Sequence, residues 1–189
     1  MDRRKFLIAM NVALGSQMIA PLQRVLAAQA QIDPVSFTGG ADLFSDTERA
    51  AVAALSEIII PTTDTPGAIA AGVPDYIEFM LSEWYDKDER VRCLIGSKQV
   101  GAYAQVTQDT SFADLEADQQ TAIVQRMHDG QMPVMQDGGR AFFEHIKQLT
   151  LAGYYTSEIG MTVERIYLPV PGRFDGAYPY AEAGTLFTS

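Results

Sequence analysis

The chain has little of what most catalytic or metal-binding proteins display. Among 189 residues there is one cysteine, one tryptophan and two histidines, and only 14 basic residues stand against 24 acidic ones. A single Cys93 excludes an intramolecular disulfide framework and any multi-cysteine zinc or iron–sulfur site; it reads as a small buried hydrophobe. No glycine-rich nucleotide loop, C-x-x-C-H haem motif, H-E-x-x-H pair or G-x-S-x-G elbow occurs. His128 and His145 fall on different expected helices, so only tertiary structure could bring them to one ligand. The net charge of −10 repels phosphate backbones and anionic lipid surfaces, which argues against nucleic-acid binding and direct membrane adhesion. With 47% hydrophobic residues, the composition is that of one folded domain.

What is present begins with an address. Arg3, Arg4 and Lys5 precede an apolar run from Phe6 to Ile19. At about 14 residues the run is short of a bilayer span. Ala28 and Ala30 then form an A-x-A-like cleavage site. This layout predicts a signal peptide over 1–30. Arg3-Arg4 followed by Phe6-Leu7 resembles the twin-arginine export signal, with Asp2 and Ile8 departing from the usual pattern. The expected location is therefore the periplasm. Loss of residues 1–30 removes four basic residues and one acidic residue, leaving a net charge of −13.

Residues 31–44 are rich in Gly, Pro, Ser and Thr and read as an extended lead-in. A single all-α domain is expected over 45–189, a small irregular bundle of about five helices. Ser45-Asp46-Thr47-Glu48 has capping-box form, and the helix it opens stops at Pro61. Pro74 opens a second helix with Ile77, Met80, Leu81 and Trp84 as its buried stripe. A third is expected over 88–107, with Val91, Leu94, Ile95, Tyr103 and Val106 inward. A fourth covers 117–129 and ends at Gly130. The fifth covers 134–152, burying Phe142, Phe143, Ile146 and Leu149, with Gly153 as its C-cap. Asp75 and Glu78 read as first-turn carboxylates favoured by the helix dipole, and Asp64 as an Asx-turn residue.

From Tyr154 onward the helical period is lost. The segment 154–189 carries Tyr154, Tyr155, Tyr167, Phe174, Tyr178 and several prolines and glycines. Aromatics on irregular chain need a surface to cover, either the protein's own bundle or a partner.

Three stretches resemble the gluconate 2-dehydrogenase subunit 3 family. They are the leader Arg3-Arg4-Lys5-Phe6-Leu7, the run from Leu55 through Ile58-Ile59-Ile60-Pro61-Thr62-Thr63-Asp64-Thr65-Pro66-Gly67 to Pro74, and Gly153-Tyr154-Tyr155-Thr156-Ser157-Glu158-Ile159-Gly160 with Pro171-Gly172 and Gly176. The resemblance implies a non-catalytic small subunit that escorts and stabilises a large FAD-binding, GMC-type dehydrogenase acting on a sugar or sugar acid. A cytochrome c subunit or another acceptor would take the electrons. No cofactor, catalytic residue or metal ligand is expected in this chain; FAD belongs to the large subunit. Membrane association would come only through the complex or an uncleaved leader. The expected partner surface comprises Thr63, Asp64, Pro66, Gly67, Tyr154, Tyr155, Ser157, Glu158, Tyr167, Phe174 and Tyr178. Two other readings stay open on residues alone: a self-sufficient periplasmic oxidoreductase, and a stand-alone binding or scaffold protein.

Overall fold

Ser45 ends the lead-in by capping the first helix. Its hydroxyl accepts from the Glu48 amide, while the Glu48 carboxylate accepts from the Ser45 amide at 2.8 Å. The computed structural model in which this is seen describes residues 43–168 apart from Val134, together with 172, 179, 181, 184 and 186–188. Six α-helices follow in order among the described residues: α1 Asp46–Ile59, α2 Val73–Glu83, α3 Lys87–Gln108, α4 Ala117–His128, α5 Arg140–Thr156 and α6 Glu158–Thr162. Two-residue strands β1 Ile166–Tyr167 and β2 Phe187–Thr188 pair in parallel, Ile166 opposite Phe187. The expected all-α bundle is observed. No helix among the described residues is long and apolar enough to cross a membrane.

Helices α1 and α5 form the centre. Each packs against the other and against α2, α3 and α4. Val52 and Leu55 of α1, Ile77 and Leu81 of α2, Leu94 and Val100 of α3, and Ile146 and Leu149 of α5 are buried in one core. Each such side chain contributes about 1.5–3 kcal/mol by leaving water. A polar rivet crosses the α1–α5 contact: the Thr150 hydroxyl donates to Ser56 Oγ at 3.3 Å, and Ser56 Oγ donates to the Val52 carbonyl at 2.9 Å. Both groups are fully buried and both are satisfied, as burial demands.

Several sequence expectations need correction. Trp84 is 73% exposed rather than buried. It is the C-cap of α2, past the last turn that faces the core, so the i+7 position no longer points inward. The buried face of α3 is Cys93, Leu94, Gly96, Ser97, Val100 and Ala104. Val91, Ile95, Tyr103 and Val106 are half-buried at its margins. Small residues win this face because neighbours come close: a Cβ on Gly96 would collide with the Phe142 ring, which is itself half-buried.

Helix α5 starts at Arg140, six residues later than the pattern suggests. Asp137, Gly138 and Gly139 all have positive φ, and a Cβ on Gly138 would overlap the Gly130 backbone. This left-handed turn cannot belong to a helix. At the other end, α5 does not stop at Gly153. It continues through Tyr154 and Tyr155 to Thr156. Gly153 is buried inside the helix, where its missing side chain leaves room for the Tyr76 ring. Ser157 then serves two helices: its hydroxyl donates to the Tyr154 carbonyl at 2.7 Å and accepts from the Gly160 amide at 3.1 Å, which caps α6.

Glu78 is buried, not a solvated first-turn acid. Its carboxylate takes two hydrogen bonds at 2.9 Å from the Arg49 guanidinium, and the amides of Leu43 and Phe44 donate to Oε1 at 2.8 and 3.1 Å. One acid thus ties the end of the lead-in to α1 and α2.

Candidate partner-binding surface

The loop between α1 and α2 is built around a carboxylate. Glu57, in the last turns of α1, accepts from the Thr62 amide at 2.8 Å and the Thr62 hydroxyl at 2.7 Å through Oε1. Its Oε2 accepts from the Ile69 amide at 3.0 Å. Burial pushes this carboxyl up, but the bonds from Ile69 and Thr62 outweigh it and hold Glu57 below the ordinary carboxylate range. Thr62 Oγ1 in turn accepts from the Gly67 amide at 3.0 Å. A Cβ on Gly67 would run into the Glu57 carboxylate and the Thr62 nitrogen. The P-T-T-D-T-P-G spacing is thus the fold of a loop wrapped over one acid. The Ala68 amide closes it onto the Ile60 carbonyl at 3.0 Å.

This loop is docked on the end of α5. The Tyr154 hydroxyl donates to the Pro66 carbonyl at 2.9 Å, and the Thr65 hydroxyl donates to Glu164 Oε2 at 2.9 Å. Burial, with the neighbouring Glu164 charge, pushes the Tyr154 phenol up, so it stays a hydrogen-bond donor at neutral pH. Tyr155 meets Tyr154 edge-on, with ring centroids 5.3 Å apart. The Arg165 guanidinium lies 4.1 Å above the Tyr155 ring, a cation–π contact.

The sequence-selected residues therefore divide. Thr63, Asp64, Glu158 and Tyr167 are exposed; Pro66, Tyr155 and Ser157 are half-buried; Gly67 and Tyr154 are buried. The structure brings the loop and the 154–167 segment onto one side of the molecule, with the buried members as its foundation. The Asp64 carboxylate accepts from the Thr63 hydroxyl at 3.0 Å, and the loop backbone is held by Glu57 and Thr62. Arg3, Arg4, Phe6, Leu7, Ala28, Ala30, Phe174 and Tyr178 lie outside the described residues.

Sequence reasoning missed Glu57, Glu164 and Arg165, which organise the surface. It also missed the exposed apolar side chains around Tyr167, which is itself 47% accessible: Ile69 is 52% and Val163 55% accessible, and Ile166 and Leu168 are also exposed. Glu57 did carry a signal, five residues ahead of Thr62 in the run quoted for the resemblance. The others follow no regular period.

No curated protein and no solved structure matches the chain. The family model for gluconate 2-dehydrogenase subunit 3 matches residues 46–172, which include the loop, both of its anchoring segments and all six helices. That match covers most of the chain, and the protein belongs to the gluconate 2-dehydrogenase subunit 3 family.

Proposed function

We propose that the chain is the non-catalytic small subunit of a periplasmic, FAD-dependent sugar or sugar-acid dehydrogenase, and that it escorts and stabilises the large flavoprotein. The observation that carries this reading is the family match over residues 46–172, since the family is named as a subunit of a dehydrogenase. The leader fits the escort role. Twin-arginine export moves folded cargo, so one Arg3-Arg4 signal serves both chains if the complex forms first. Surviving transit calls for an obligate interface, on the order of 2,000 Å² or more.

The rigid loop over Glu57 and the segment joined to it through Thr65 and Glu164 suit that contact. They present Ile69, Val163 and Tyr167 on a frame held by hydrogen bonds. Preorganised apolar anchors lose little entropy on binding. Flavin chemistry and substrate oxidation belong to the partner, and a cytochrome c subunit is a fitting electron acceptor.

Replacement of Arg3 and Arg4 by lysine in cells producing both chains tests the escort role. The flavoprotein is expected to stay in the cytoplasm with its small subunit. Normal periplasmic flavoprotein in that strain would overturn it.

A further inference from the structure

Helix α2 carries two apolar stripes. Val73, Ile77 and Leu81, at i, i+4 and i+8, are fully buried in the core. Tyr76, Phe79, Met80 and Trp84, at i, i+3, i+4 and i+8, form a second stripe beside it. Tyr76 and Met80 are partly buried against the core, Tyr76 in the room left by Gly153. Phe79 is 55% and Trp84 73% exposed. An outward apolar stripe at this spacing is the kind of face that takes another apolar segment. None of the four residues belongs to the loop surface described above.

The exposed charges along this stretch are Asp75, Glu83, Asp86 and Asp88 against Lys87. A fitting occupant is therefore apolar and carries cations at its edge. The chain holds such a segment itself: Arg3, Arg4 and Lys5, then the apolar run from Phe6 to Ile19. That run gains from leaving water as much as the stripe does.

The tether between the two is anchored on the same helix. The Leu43 and Phe44 amides donate to Glu78 Oε1 at 2.8 and 3.1 Å, and Glu78 is the neighbour of Phe79. Residues 20–42 lead from there back to the run. At half extension they reach about 40 Å, more than twice the length of α2. A tether that spans its sites gives an effective concentration of about millimolar, so a contact too weak to form between separate molecules closes within one chain. A second copy or a flavoprotein meets the stripe only by diffusion.

We propose that, while the leader is attached, its apolar run Phe6–Ile19 docks on the Tyr76–Trp84 stripe of α2, with its cations against the acids that flank the stripe. Docking needs only the run, its cations and the tether, and stands whether or not the chain escorts a flavoprotein.

Trp84 is the only tryptophan in the chain, so its fluorescence reads the stripe directly. The full chain is compared with the full chain carrying Ile8→Asp and Val12→Asp, by emission maximum and by acrylamide quenching over a dilution series. A shielded, blue-shifted Trp84 is expected in the unaltered chain. The leader variant is expected to shift the emission to the red and to raise the quenching constant about twofold or more, as the tethered contact opens. Phe79→Asp changes the stripe at an exposed position and is expected to open the contact in the same way, so the test does not hang on the leader variant alone. Equal quenching in the unaltered chain and both variants would overturn the proposal. Shielding that fades on dilution would also overturn it, by giving the stripe to a second copy.

Discussion

The Tyr154 hydroxyl reaches across 88 positions of sequence to donate to the Pro66 carbonyl at 2.9 Å. This bond joins the end of the central helix to the loop that Glu57 organises, and it makes one surface from two distant stretches. Tyr154→Phe removes the donor and leaves the ring packed. The expected loss is about 1 kcal/mol in a denaturant titration, with faster amide exchange at Gly67 and Ala68. Tyr154→Ala adds a large void in the core and is expected to cost about 3–5 kcal/mol.

Glu78 is a second point where one side chain holds three elements. Glu78→Ala leaves the buried Phe44 amide and the part-buried Leu43 amide without their acceptor and removes the carboxylate facing Arg49. Arg49 is partly exposed, which moderates the loss. A destabilisation of about 2–4 kcal/mol is expected by chemical denaturation. Glu78→Gln is expected to cost less, because it keeps an acceptor oxygen.

Much of this architecture could be read from residue types. Ser45 and Glu48 announced the first helix, Pro74 the second and Gly130 the end of the fourth, because caps and turn residues act through their immediate neighbours. Positions decided by distant chain were not legible. Glu78 looked like a surface acid because Arg49 lies 29 residues away. Gly153 looked like a stop because the Tyr76 ring that needs its space comes from another helix. Tyr154 reads as irregular chain for the same reason, and its burial follows from a loop folded 88 residues earlier. The loop motif was visible as a run of residues, but its logic, a carboxylate with a backbone wrapped over it, lies in the bonds from Thr62 and Ile69 to Glu57.

A buried thiol and a half-buried imidazole on neighbouring helices give the protein a stability window in pH. Burial pushes the Cys93 thiol up to about 12 from an ordinary 9.0. A raised value contributes stability that is complete below pH 9, where the unfolded thiol is protonated, and is lost as pH rises from 9 toward 12. Burial lowers the His145 imidazole from 6.5, although Glu89 pulls it up. A lowered value contributes stability that is present above pH 6.5 and is lost as pH falls below it. Melting curves from pH 4 to 11 are expected to fall at both ends. Cys93→Ala should flatten the alkaline limb and His145→Phe the acid limb near pH 6; an unchanged limb in either variant would contradict the assignment.

Cys93 should also be chemically silent in the native state. With 3% exposure and a protonated thiol at pH 8, it is expected to react with a disulfide reagent only as fast as the protein opens. Stoichiometric labelling within seconds in native buffer would contradict this burial.

The apolar side chains of the proposed partner surface can be tested without disturbing the core. Ile69→Asp and Val163→Asp place charge on exposed positions and should leave the melting temperature within a degree or two. Together they are expected to cut co-purification of the flavoprotein at least tenfold. Full recovery of the partner would place the contact elsewhere on the bundle.

The most direct test of the account is affinity purification of the tagged full chain from periplasm, followed by separation of its companions and assay of each fraction with gluconate or glucose and an artificial electron acceptor. The account predicts a near-stoichiometric FAD-containing companion that carries the turnover, and none from the separated small chain. Substrate-dependent reduction by the small chain alone, or its recovery without a flavoprotein, would contradict it.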